Sequence, residues 1–269
     1  MFKKFFTLFI SAFLLVSVVA CSNTSSQSKK KEYVSKDEIS NVFEDPDSYS
    51  GKYIKLSGKI FNVKKKDGGL NGYQICYDIK NNNQDFFVSL KSTPKFNNDD
   101  YVTVDGMING TLEAENNLGN KITMPEISSA KVKKSSYMDL VVPAKKTISP
   151  NASQEINGIK LTIDKIEYAE EETRVYVTVV NNSGDTFDLN NYDIKLTMNG
   201  TQIEQDNSSL SQYEGDYPQL SYEILNGITN SGILVFPKMD QNNFTLLADG
   251  YTDANFDEIN FEIQVNVEQ

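Results

Sequence analysis

Tyr53-Ile54-Lys55-Leu56-Ser57-Gly58-Lys59-Ile60-Phe61-Asn62-Val63 is the stretch on which the fold turns. Ile54, Leu56, Gly58 and Ile60 alternate with other residues, the period of a strand with one buried face. The apolar phase then shifts to Phe61 and Val63, as in a strongly bent strand that carries a bulge beside a glycine. Further on, Tyr73, Ile75, Tyr77 and Ile79 alternate, Asn81-Asn82-Asn83 turns, and Phe86, Val88 and Leu90 alternate again, which reads as a hairpin. Val102, Val104, Gly106 and Ile108 supply a fourth strand. Ile122 to Val132, interrupted by Pro125, supplies a fifth. Five strands with a bent first member, and a break from Ser92 to Asp100, predict a small closed barrel. Ahead of it, Ser35-Lys36-Asp37-Glu38 fits a capping box, with Val34 stapling against Ile39. Ile39, Val42 and Phe43 give a short helix one apolar face, and Pro46 ends it.

Beyond the barrel, Pro143 and Pro150 mark a linker over 136–152. Ile159, Leu161 and Ile163 then alternate. Val175, Val177 and Val179 do so after the charged turn Glu170-Glu171-Glu172-Thr173-Arg174. Ile194, Leu196 and Met198 lead into Asn199-Gly200, a hairpin signal because both residues tolerate positive φ. Ile233 and Val235 precede Pro237, and Ile259, Phe261, Ile263, Val265 and Val267 close the pattern. Seven or more short strands with turns between them predict a two-sheet sandwich. The fold class is therefore all-β: a five-stranded barrel with a short N-terminal helix over 33–135, then a β-sandwich over 153–269.

The first twenty residues have the charged start (Lys3, Lys4) and apolar middle of an export signal, too short for a comfortable membrane span. Without them the chain carries 24 basic and 37 acidic side chains. Residues 36–135 hold fourteen of each sign, whereas residues 136–269 hold seven basic against twenty-two acidic. That imbalance marks a boundary near residue 136. The chain contains no His and no Trp. Without His, Ser-His-Asp and Cys-His hydrolases, His-ligated zinc and His phosphotransfer are excluded.

Leu14 to Cys21 ends in Val18-Val19-Ala20-Cys21, which resembles the lipobox of bacterial lipoproteins. The resemblance implies cleavage after Ala20, removal of residues 1–20, and a lipid such as a palmitate-bearing diacylglyceryl group on the Cys21 sulfur. Cys76 is then left without a disulfide partner. Residues 21–32 form a flexible polar tether, with Lys29, Lys30 and Lys31 able to lie against anionic head groups. The barrel stretch Asp45-Pro46-Asp47-Ser48-Tyr49-Ser50-Gly51-Lys52-Tyr53 through Ile60, with Asp99-Asp100-Tyr101-Val102-Thr103-Val104-Asp105-Gly106, resembles the OB-fold, tRNA-anticodon-binding-like domains of bacterial envelope proteins. The segments Ile156 to Ile163, Val175 to Asn182 and Gly232 to Pro237 resemble an immunoglobulin-like domain of unknown function, related to an immunoprotective extracellular antigen family. That family implies no catalytic residues.

Phe87 and Gln74 share the outer barrel face expected of a ligand contact, since Phe86 points in. Cys76 and Asp78 lie on the same face. A neutral barrel beside an acidic sandwich is a poor phosphate tracker, so no nucleic-acid partner is expected. Asp185, Asp188 and Asp193, among Asn-rich turns, are weak candidates for Ca²⁺ ligands without EF-hand spacing; no metal centre and no cofactor is expected. Cys76 reads as an inert barrel thiol, and the carboxylate pairs Asp99 with Asp100 and Glu170 with Glu171 as solvated turns. The expectation is a non-catalytic binding or interaction module of the cell envelope, lipid-anchored on the extracytoplasmic face of the cell membrane, with a protein or envelope partner. The alternatives are a small-ligand or envelope-glycan receptor and a carboxylate-based cell-wall hydrolase.

Overall fold

In the computed structural model, which describes residues 30–66, 70–81, 83–90, 96–115, 120–253 and 257–267, the phase shift in the first strand is a β-bulge. Residues 1–20, read above as an export signal, and Cys21 lie outside the described residues. Strand β1 (Tyr53–Lys66) pairs first with β4 (Tyr101–Glu115) over Tyr53 to Lys59, then with β2 (Leu70–Asp78) from Lys59 onward. The register slips between Ile60 and Asn62, so Phe61 is the extra residue. Phe61 therefore stands 42% exposed, and the inward phase resumes only at the half-buried Val63. Gly58 sits where β1 changes partners. A Cβ there would lie 2.3 Å from the carbonyl oxygen of Cys76, so the bend admits no side chain.

Strands β3 (Asn83–Leu90) and β5 (Lys121–Ser135) complete a closed barrel of order β1-β2-β3-β5-β4. Among the described barrel strands, β3 and β5 pair in parallel and the others antiparallel, and the whole fits an OB-like fold. Val42 of helix α1 (Ile39–Glu44) is fully buried, and Ile39 and Phe43 pack against the same core. The Glu38 carboxylate accepts hydrogen bonds from the Ser35 amide (3.2 Å) and hydroxyl (2.6 Å), which fixes the helix start. Strands β4 and β5 run further than the apolar pattern indicates. Their ladder continues past Ile108 to the pair Glu115 and Lys121 as a two-stranded arm.

The remaining elements are α2 (Tyr137–Leu140), β6 (Lys146–Ile148), β7 (Ala152–Ile156), β8 (Ile159–Tyr168), β9 (Glu172–Asn181), β10 (Phe187–Leu189), β11 (Lys195–Met198), β12 (Thr201–Glu204), α3 (Leu210–Glu214), β13 (Glu223–Ile224), β14 (Thr229–Pro237), β15 (Phe244–Thr252) and β16 (Glu258–Val265). They form two sheets, β14-β9-β8 with β6 and β7 on β8, and β16-β15 with β11-β12 and β10-β13 on β15. Inward residues such as Leu161, Val177 and Phe236 meet Leu246, Phe261 and Ile263 in one core, a β-sandwich. Asn199 and Gly200 both take positive φ in the β11–β12 turn, as the dipeptide requires. Among the described residues, Glu32–Gln269 makes one compact unit.

One departure from the sequence reading governs this half. The charged turn ends at Glu171, and β9 starts at Glu172, so Thr173 and Arg174 are buried strand residues, Arg174 at 1% exposure. Arg174 points to the outer face of its sheet, opposite to Val175. That face is covered by the 136–152 stretch and by the segment around Tyr217. Ile233 and Val235 face this cover with Tyr217 and Met138, while Leu234 and Phe236 enter the sandwich core. The Arg174 guanidinium donates to Glu172 (2.7 Å), to Glu167 (2.9 Å) and to the carbonyl of Val142 (2.9 Å). Tyr217 donates to Glu172 (3.1 Å), Tyr176 to Glu167 (2.9 Å) and Lys165 to Glu167 (2.6 Å). Two cations thus meet two carboxylates, with two phenols and a carbonyl closing the network.

Arg174→Met leaves the buried Glu172 without its cation and Glu167 with Lys165 alone, and should cost about 3–5 kcal/mol in urea denaturation. Burial by itself raises the Glu167 carboxyl, but hydrogen bonds from Lys165, Tyr176 and Arg174 outweigh it and hold the group below the usual carboxylate range. A depressed folded value means stability present above the unfolded value of about 4.5 and lost as pH falls through the folded one. Stability measured on acidification from about 4.5 should fall less steeply in Glu167→Gln than in the parent chain.

Candidate functional site

Gln74 and Phe87 are direct cross-strand partners on β2 and β3, so their side chains leave the barrel on the same side. Both are on its outer face, yet Phe87 is only 5% and Gln74 only 8% exposed. The β4–β5 arm closes over them with Leu112 and Met124, themselves cross-strand partners. The result is a groove of about 540 Å³ with Phe87 and Gln74 beside Leu112, Ala114 and Met124, and with Lys64, Lys121, Glu113 and Glu115 also lining it. The tip of the Phe87 ring abuts Gly72, where a Cβ would come within 2.3 Å of its Cζ. The Gln74 amide accepts from Asn62 (3.4 Å) and donates to Asp85 (3.2 Å), which leaves one N–H and one lone pair unused in these two bonds. Burial pushes the Asp85 carboxyl up, against the hydrogen bond from Gln74. An apolar ring, an oriented amide and a rim of mixed charge can hold a small polar ligand with one apolar face.

The sequence pointed to Phe87 and Gln74 through strand alternation, but the stacking platform it implied is a covered groove. The arm that covers it carries little apolar signal in Thr111-Leu112-Glu113-Ala114-Glu115, which is why Leu112 and Met124 escaped notice. Cys76, on the same face, is 3% exposed; its thiol contacts the carbonyls of Asp78 and Asn83, and burial with Asp85 nearby pushes it up. Such a thiol is a poor nucleophile.

Asp185, Asp188 and Asp193 do not converge. Asp185 accepts from the Thr186 amide, Asp188 sits in β10 opposite Tyr251, and Asp193 pairs with Lys195 at 3.1 Å. Among the described residues no group of three His, Cys, Asp or Glu is placed to hold a metal ion. Asp100 pairs with Lys134 and Asp99 with Lys59, while Glu170 pairs with Lys145 and Glu171 with Lys80. Each carboxylate of the two candidate acid–base pairs therefore has a surface lysine rather than its neighbour as partner.

No family model matches the sequence, and no curated protein matches it. Among the solved structures similar to it are two bacterial proteins. One is a functionally unknown protein from Listeria monocytogenes EGD-e, 14% identical, with a TM-score of 0.36 over 50% of this chain and 94% of that one. The other is a conserved domain protein from Bacillus anthracis, 9% identical, with a TM-score of 0.37 over 79% of this chain and 92% of that one.

Gly72→Ala must displace the Phe87 ring. The substitution should lower stability by about 1–3 kcal/mol and shift the Phe87 ring resonances in proton NMR. Gly184→Ala, where a Cβ meets open space on an exposed turn, should leave those resonances in place.

Proposed function

We propose that the chain is an extracytoplasmic lipoprotein, cleaved after Ala20 and anchored in the cell membrane through Cys21, whose OB-like barrel and immunoglobulin-like sandwich form a non-catalytic binding module. Its ligand sits in the barrel groove beside Phe87. The reading of the address rests on Val18-Val19-Ala20-Cys21 and the polar stretch after it. Two acyl chains at one cysteine make such anchoring stable, where a single chain is marginal. The observation that carries the binding role is the cross-strand pair of Gln74 and Phe87 in a groove whose volume lies in the range of small-ligand sites. An aromatic ring beside an oriented amide suits the apolar face and hydroxyls of a sugar ring. An envelope glycan is therefore the ligand class this groove favours, in keeping with the use OB barrels make of this surface.

Calorimetric titration with soluble cell-wall glycan fragments should give saturable heat. Phe87→Ala should weaken binding at least tenfold, on the order of 1.4 kcal/mol. A flat titration of the parent chain would dismiss the glycan. In cells, the parent chain should partition into the detergent phase with lipid mass at Cys21, and Cys21→Ser should not.

A further inference from the structure

The barrel is neutral by count, but its register separates the charges. On the outer face of β1, β4 and β5 the cross-strand rows read Lys55, Asp105, Lys131 and Ser57, Thr103, Lys133. Directly paired residues of neighbouring strands point the same way, so three lysines share this face with one carboxylate. All three are exposed, and none is in an ion pair among the described residues. The one carboxylate, Asp105, accepts hydrogen bonds from the Tyr33 hydroxyl at 2.9 and 3.2 Å.

Tyr33 also shows where the chain enters the body. The Glu32 carbonyl accepts from the Tyr53 amide (2.7 Å), and the Val34 amide donates to the Tyr53 carbonyl (2.8 Å). The Tyr33 ring packs 5.7 Å from that of Tyr53 and lies 5.3 Å from the Lys55 ammonium. The entry point is therefore at the lysine face itself. Ser22 to Glu32, read above as a tether, are eleven polar residues, a length of chain whose r.m.s. span is about 15–20 Å. An anchor at Cys21 holds this face within about two Debye lengths of the lipid head groups, near enough for transient contact.

We propose that the outer face of β1, β4 and β5, through Lys55, Lys131 and Lys133, docks on the anionic phospholipid surface to which the chain is anchored. The proposal rests on the anchoring reading above for its proximity, and it assigns the occupant by charge and by the entry point of the tether. Each lysine close to an anionic leaflet strengthens association about fivefold. Residues 136–269, with seven basic and twenty-two acidic side chains, are repelled by the same surface. Docking therefore orients the molecule, with the lysine face of the barrel toward the lipid.

The test uses the mature chain from residue 21 with Cys21→Ser, which removes the anchor and keeps the tether lysines in every variant. In co-sedimentation with vesicles, phosphatidylglycerol-containing bilayers should retain the protein and pure phosphatidylcholine should not. Retention should vanish in 0.5 M salt, at a Debye length of about 4 Å. Lys55→Glu/Lys131→Glu/Lys133→Glu should lower the vesicle partition coefficient at least thirtyfold, and Lys→Gln at the same sites less. Reversing Lys160, Lys195 and Lys238 should have little effect. Retention that ignores lipid charge, or a triple variant that binds like the parent, overturns the proposal. Absence of lipid mass at Cys21 in cells overturns the anchoring reading instead, which separates the two failures.

Discussion

The buried guanidinium of Arg174 is the constraint on which the arrangement of the chain depends. A cation at 1% exposure is tolerable only if its lost hydration is offset by close partners. Those partners come from separate parts of the chain: Glu167 on β8, Glu172 on β9 and the Val142 carbonyl. The Tyr217 hydroxyl joins them through Glu172. A sheet of a sandwich normally turns its second face to water. Here that face is closed by the stretch after the barrel and by the segment around α3, and Ile233, Val235 and Met138 fill the space beside the charge network.

That closure reaches the barrel. Tyr137, which opens α2, meets Tyr101 of β4 edge to face with ring centroids 5.7 Å apart. Glu214 of α3 pairs with Lys59 of β1 at 3.3 Å, and Glu171 with Lys80. Half-exposed ion pairs of this kind contribute little. The ring contact of Tyr101 with Tyr137, rather than these ion pairs, is the apolar link at the junction. The 136–152 stretch, with its two prolines, is an ordered part of the packing: Tyr137 and Val142 are buried and β6 joins the sheet.

On the barrel, two features use different parts of the sheet. The groove uses β2, β3 and the β4–β5 arm, whereas the lysine face uses the body of β1, β4 and β5. The proposed ligand and the proposed lipid contact therefore draw on separate side chains. One small barrel has room for both roles.

Alternation of Ile54, Leu56 and Ile60, of Tyr73 and Ile75, and of Phe86 and Val88 determined a bent first strand and a hairpin, because a strand with one wet face must repeat with period two. The same rule determined that Gln74 and Phe87 share a side. Valine and isoleucine runs determined the sandwich strands in like manner. Tertiary structure alone decided what lies over those faces. Phe61 appeared apolar and inward but is the bulge residue, because register depends on the partner strand. Arg174 sat within a run of charges and read as part of a turn, because no local pattern says that a polar strand face will be covered by segments more than thirty residues away. The lysine face, too, arises only when β1, β4 and β5 are brought into register. Residues 55, 105 and 131 are remote in sequence, and only pairing makes them neighbours.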